Sequence, residues 1–383
     1  MERNSGNMLK KSNFELLRIL AMFGIIIFHH FGNRVICQFA VLPNGFSIDK
    51  YFYDVINNTT KSFDFRTLLL DFCYGHFGNG GNFLFMLITG YFMFGKSLNY
   101  EKNIKSIKKI LFMLLFWGFV LTAVYGIVIK VFYPIGDVSS YKPIFLLPNW
   151  LSGSNMWYFQ AYGIFILIVV PILKRFENRI DRNIHKKIIA VLVCLFFLDF
   201  SKYLPSIWLS ERVLQFVTCY YIGGYISRYS ISVSWKSLWL ALMSYMAVYF
   251  AYEYYWRMGM RKMYNPSEYS YISVMQPFIC CLIYAVIIFL MFSKLNFSSR
   301  AVNHVAAATP GIYIFHFNMI SLCFAFANTY WWKNWTISGY IAFVIVDTII
   351  LFGVGCIIDN IRMKIFAFVK SRVERCMTES THQ

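Results

Sequence analysis

Hydrophobic positions along this chain gather in repeated runs of near twenty residues, separated by short polar and charged stretches. Hydropathy with turn and charge punctuation predicts ten membrane spans, over residues 14–32, 68–94, 110–132, 157–173, 188–200, 211–227, 237–256, 273–292, 303–327 and 338–358. The fifth is short and reads as a tilted, broken or shifted span. Backbone groups in lipid must find their hydrogen bonds within their own segment, so the expected architecture is all-α, a polytopic membrane helical bundle. The chain shows no internal repeat, low-complexity linker or second soluble domain, and residues 1–383 read as a single integral membrane domain with a tail over 359–383.

Composition agrees with that class. The chain is 58% hydrophobic and only 14% charged, where a soluble domain would carry about a quarter charged residues. The first apolar run is followed by further spans and lacks a small-residue cleavage site, so it reads as a span and not as a secretory signal peptide. A net charge of +18 raises the question of nucleic acid, and the placement of the charges answers it. With the N-terminus inside, 23 Lys and Arg fall in inner segments and 10 in outer ones, and only Arg18, Lys130 and Arg212 fall in spans. That asymmetry predicts both termini in the cytoplasm of a cell-membrane protein, with the basic residues as topological anchors and the lipid bilayer, not nucleic acid, as partner. The tail segment IRMKIFAFVKSRVERC alternates apolar and basic residues and is expected on the inner membrane surface. The nine cysteines show no metal-like pairing and read as packing thiols, so no metal is expected.

Chemistry concentrates on the first helix, NFELLRILAMFGIIIFHHF, which is interrupted by Glu15, Arg18, His29 and His30. Ionisable groups inside a span are costly and therefore candidates for function. Arg18 and His29 share one stripe, since eleven residues at about 100° each return to nearly the same face, roughly 16 Å along the axis. His30 points about 100° away from it. One reading makes Arg18 an interface anchor paired with Glu15 and the histidines outer-interface markers. The other makes His29 a general base, because an imidazole titrates near neutral pH.

Other segments carry two readings each. The second helix holds Gly75, Gly78, Gly80, Gly81 and Gly90, fit either for close helix packing or for a passage where backbone meets substrate. Lys102, Lys105, Lys108 and Lys109 recur on one helical face, as a positive-inside segment or as a landing site for a phosphate-bearing donor. Trp157 and Tyr158 read as an interfacial belt, and His316 falls about halfway along the ninth span, hydrogen-bonded or functional.

Taken together, the segments ELLRILAMFGIIIFH, GGNFLFMLITGYFMFGKS, WYFQAYGIFILIVVPIL, FVTCYYIGGYIS and GIYIFHF resemble the acyltransferase-3 family of integral membrane acyltransferases. The resemblance implies an acyl-coenzyme A, expected to be acetyl-coenzyme A, as cytoplasmic donor, and a hydroxyl of a cell-surface polysaccharide or lipid-linked glycan as acceptor. It implies Arg18 and His29 as the central pair, with His29 acting as base or as acyl acceptor. His316, Trp157 and the Gly80–Gly81 turn are expected to line the site, and Lys105 and Lys108 to meet the donor. Two positions depart from the family pattern: the basic segment after the second helix is lysine-rich where arginine is usual, which removes bidentate phosphate geometry, and the family's serine is Thr89 here. The chain is expected to work alone, as a homo-oligomer or with a polysaccharide-assembly partner. The competing class is a glycan or lipid transporter or flippase, which also uses polar residues and glycine-broken helices in spans. A structural subunit of an export complex is a third, non-catalytic reading.

Overall fold

The computed structural model describes residues 11–32, 65–132, 157–197, 208–263, 278–316, 319 and 337–380; parts of the expected fifth, eighth and ninth spans and most outer loops lie outside them. Among these residues the chain is helical, without strands. In order come α1 (Asn13–Gly32), α2 (Phe65–Met93), α3 (Tyr100–Phe132), α4 (Trp157–Glu177), α5 (Arg182–Phe197), α6 (Trp208–Arg228), α7 (Trp235–Met263), α8 (Phe278–Ser293), α9 (Arg300–Ala307), α10 (309–316) and α11 (Ile337–Ser380). Among the described residues four stretches are long and apolar enough to cross a membrane: Asn13–His30, Tyr100–Val124, Trp157–Glu177 and Ala342–Arg372. Their outward faces stay apolar. Phe119 is 78% exposed and Ile357 64%, a cost that lipid removes and water would not.

Local chemistry explains where the helices depart from expectation. The lysine segment forms the opening turns of α3, started by Asn99, whose Oδ1 accepts the Lys102 N–H at 2.8 Å. Helix α4 runs past Pro171 to Glu177 by widening into a π turn over Phe165–Val169, where the Val170 N–H reaches the Phe165 carbonyl. The proline supplies no N–H, and the wider turn absorbs its ring. The expected ninth span breaks at Ala308, between α9 and α10, with Pro310 in the first turn of α10, where its missing N–H costs nothing; the Thr309 hydroxyl there donates to the Ala306 carbonyl at 2.8 Å. The expected tail joins the last apolar segment in one helix, α11, which runs unbroken for 44 residues. The Gly80–Gly81 turn is likewise no turn, both residues lying inside continuous α2.

The chain divides into two compact units, residues 1–104 with 157–303, and residues 105–156 with 304–383. In the first, α2 is central, packed on α1, α6 and α8. Its approach to α6 is backbone to backbone: a Cβ on Gly90 would come within 2.6 Å of Tyr220 Cα, and one on Gly223 within 2.7 Å of Tyr91 N. Phe14 then stacks on Phe289 at 5.1 Å and meets Tyr91 at 4.9 Å, closing α1, α2 and α8 together. The N-terminus of α1 is pinned by the Asn13 side-chain amide, which donates to the Phe292 carbonyl at 3.1 Å.

In the second unit a buried carboxylate is the anchor. Asp359 of α11 accepts the Trp117 indole N–H at 3.0 Å and pairs with Arg362 through both oxygens, at 2.7 and 3.0 Å. Trp117 in turn lies 5.4 Å from Phe315.

Replacing Gly90 or Gly223 with leucine should therefore prevent α2 and α6 from closing, while alanine should cost about 1–3 kcal/mol. Thermal melting and size-exclusion behaviour of the detergent-solubilised protein check this: leucine variants should aggregate or fail to accumulate, and alanine variants should melt earlier.

Candidate active site

The packing of the first unit sorts its functional side chains to two ends. Gly78 of α2 lies against Phe28 and Gly81 against Ala21 and Ile25, so α1 and α2 run antiparallel. Gly90 meets Tyr220 and Gly224 meets Phe94, so α6 runs parallel to α2. Tyr158 meets Phe216 at 5.3 Å and Phe165 meets Tyr220 at 5.6 Å, which sets α4 parallel to both. Arg18 consequently lies towards the end that holds Phe94, Glu177 and Arg228, and His29 and His76 lie at the other; Tyr158 meets Phe85 at 6.3 Å, so Trp157 stands between them, at about the depth of Arg18.

At the first end Arg18 pairs with Glu15. Its Nη1 lies 2.7 and 2.6 Å from the two carboxylate oxygens, with Glu15 buried and the arginine side chain 28% exposed. Among the described residues the pair leaves Nε and Nη2 of the guanidinium with N–H groups to offer another acceptor. The same end carries a second buried ion pair absent from the sequence reading. Glu177 takes Lys174 Nζ at 2.8 Å, the Gly95 N–H at 3.1 Å and the Tyr220 hydroxyl, while Lys174 also donates to the Met93 carbonyl at 2.7 Å. The four groups tie α2, α4 and α6 together. Beside them, buried His185 stacks on Phe94 at 4.8 Å and bonds the Tyr221 carbonyl through Nε2 at 2.9 Å. Burial holds its imidazole below the usual range, and the Arg228 charge acts the same way; the Tyr221 bond and the Glu177 charge offset part of this.

At the opposite end the imidazoles are held by backbone. His29, half-buried, bonds the carbonyl of Ile25 one turn earlier and lies edge-on to Phe28 at 5.0 Å. His76 makes the same bond from Nδ1 to Phe72 at 3.0 Å. A carbonyl oxygen only accepts, so the ring nitrogen bonded to it carries a proton. Trp157 stands at the start of α4 with the Arg212 guanidinium 4.4 Å from its ring centre, a cation–π stack. His30 is buried.

The remaining expected residues are placed as follows. Gly80 lies against Tyr284 of α8 and Gly81 against α1, both at helix contacts. Thr89 bonds the Phe85 carbonyl within its own helix at 2.9 Å. Lys105, Lys108 and His316 belong to the second unit. Both lysines are exposed on α3, and buried His316 bonds the Ile312 carbonyl through Nδ1 at 3.1 Å, beside Tyr313 at 5.5 Å. The sequence reading did not single out His76, Glu177 or Asp359. The signal for each was an ionisable residue in or at the edge of an apolar helix, the one that drew attention to α1.

A family model described as an acyltransferase domain, acyltransferase-3, matches residues 11–358. No curated protein and no solved structure matches the chain.

Acidification should weaken the Phe94–His185 end. The folded imidazole resists the proton that the unfolded one accepts near pH 6.5, so stability is intact above that pH and falls as the pH drops below it. Melting temperatures at pH 8 and 5.5 should show the loss, and His185→Phe should reduce the pH dependence. Independently, Glu177→Ala leaves buried Lys174 without its partner and should cost about 3–5 kcal/mol, read as a lowered melting temperature at neutral pH.

Proposed function

The chain belongs to the acyltransferase-3 family, and from that premise we propose that it moves an acyl group from cytoplasmic acyl-coenzyme A to a hydroxyl of a cell-surface polysaccharide or lipid-linked glycan. Acetyl is the proposed group. The observation that carries this reading is the layout of α1: a guanidinium with unspent N–H groups at one end, and an imidazole with one nitrogen fixed by Ile25 at the other. The Arg18 end also bears Lys174, Arg228 and neighbouring basic residues, which supports its assignment to the cytoplasmic side by the positive-inside rule. The fold is proposed to be completed as ten spans in the cell membrane with both termini in the cytoplasm.

In this reading Arg18 orients the donor through hydrogen bonds to its phosphates, with Glu15 holding the guanidinium in place. Lys105 and Lys108 add positive charge for the same anion. The thioester reaches His29, whose second ring nitrogen takes the acceptor hydroxyl's proton while the oxygen attacks the acyl carbon. The proton ends on the departing coenzyme A thiolate. In a two-stage variant His29 accepts the acyl group itself. Trp157, Gly80 and Gly81 are proposed as site-lining groups, and His316 as a second proton-handling group. A homo-oligomer or a polysaccharide-assembly protein is the proposed partner. The transporter reading explains the polar groups in the spans but finds no support in the family.

Membranes containing the protein, radiolabelled acetyl-coenzyme A and glycan acceptor provide the test. His29→Ala should lose at least about 100-fold in transfer while still accumulating and inserting. Arg18→Gln should raise the donor KM with a smaller effect on kcat. Normal transfer by the His29→Ala protein would refute the assignment, and transport of glycan without any donor requirement would favour the competing class.

A further inference from the structure

The acyl-transfer reading leaves one buried cluster unused, and its protons do not balance. His76 is buried among four aromatic rings: it stacks on Phe72 at 4.3 Å and lies edge-on to Tyr249, Tyr284 and Tyr245 at 4.6, 5.3 and 5.6 Å. Its Nδ1 faces the Phe72 carbonyl at 3.0 Å, and its Nε2 faces the Tyr245 hydroxyl at 2.5 Å. That hydroxyl also faces the Cys280 carbonyl at 2.9 Å. Both carbonyls can only accept, so Nδ1 must hold a proton and Cys280 claims the proton of Tyr245. With a neutral ring, three contacts then share two protons. Either the Tyr245 proton turns to Nε2 and leaves the Cys280 carbonyl, or two lone pairs face each other across the shortest of the three contacts. A third proton satisfies every contact, with Nε2–H donating to Tyr245 and Tyr245 donating to Cys280. The Phe72 face stacked on the imidazole suits the cation this creates.

The geometry points to His76 and Tyr245 as a proton-holding relay, in which one proton is gained or lost at Nε2 while the Tyr245 proton swings between Nε2 and the Cys280 carbonyl. The groups around the pair are Cys73 from α2, Tyr249 from α7, and Cys280, Cys281 and Tyr284 from α8; α1, which carries His29 and His30, packs on α2. Gly78 lies against Phe28, so His76 and His29 sit at the same depth to within about one helical turn.

The role of this relay rests on the acyl-transfer reading in its two-stage form. There His29, once acylated, can no longer act as base. In the first stage the C–S bond breaks, a C–N bond forms at His29, and the thiolate leaves with a proton supplied from the relay. In the second, the acceptor oxygen forms the C–O bond as C–N breaks, and its proton returns to the relay. One proton is lent and one restored.

Nitrogen NMR of protein carrying ¹⁵N-histidine, titrated between about pH 5 and 9, tests proton binding without requiring activity, with His76→Gln identifying the His76 signals. The expected result is that the His76 Nε2 signal moves from unprotonated to protonated across this range, and that Tyr245→Phe shifts the midpoint by at least about half a pH unit. A ring that stays in one neutral form throughout, or a midpoint unchanged in Tyr245→Phe, overturns the proton site. For the role, Tyr245→Phe should displace the pH profile of acyl transfer in the same direction as the NMR midpoint. An intact NMR titration with an unmoved transfer profile overturns the relay's part in transfer. If the wild-type protein transfers no acyl group, the functional reading fails, while the NMR titration still decides the proton site.

Discussion

The crossing of α2 and α6 sets the position of everything else in the first unit. Gly90 and Gly223 let the two backbones meet without intervening side chains, which is how helices associate where lipid removes most of the hydrophobic drive for them to do so. Helices that touch through backbone cannot slide by a residue without collision. That fixes the register between the Phe94 end, where α6 brings Tyr220 and Arg228 to Glu177 and its carbonyl, and the level of Trp157, where the same helix brings Arg212 over the indole. Antiparallel packing of α1 on α2 then assigns Arg18 to one end and His29 to the other.

The two ends solve the problem of polar groups in apolar surroundings by different means. At the Arg18 end, charges meet charges: Arg18 with Glu15, and Lys174 with Glu177, the latter carboxylate also held by Tyr220 and the Gly95 N–H. Pairing lowers the cost of burial, and in the Glu177 cluster it binds three helices at once. At the His29 end, neutral imidazoles spend one nitrogen on a carbonyl of their own helix. This costs no counter-charge.

Much of this was readable in the amino-acid order. Helix α1 and its Arg18–His29 stripe, the Glu15 partner of Arg18 and the extents of α2 and α6 follow from local pattern, because a period of 3.6 and a span length are local properties. The misreadings have local causes as well. Helix α11 outruns the expected end of the last span because no proline or glycine follows the apolar segment to stop it. Pro171 and Pro310 behave differently although both punctuate apolar runs: the first is absorbed by a π turn, and the second falls in the opening turn of a new helix. What could not be read was tertiary. Nothing near Glu177 in the sequence announces Tyr220, and nothing near His76 announces Tyr245, since these partners come from helices placed by the glycine crossings.

The three span histidines bound to a carbonyl one turn back illustrate why such a tertiary partner matters. His29, His76 and His316 share the same local bond, to Ile25, Phe72 and Ile312. Local structure therefore makes them equivalent, each with a proton on the bonded nitrogen. Their chemistry diverges only through what meets the second nitrogen. For His76 that is a tyrosine hydroxyl that also faces the Cys280 carbonyl, the arrangement on which the proposed relay rests. A histidine's place in a membrane helix thus fixes its tautomer, and the neighbouring helix decides whether it acts as base, as proton store or only as a packed ring.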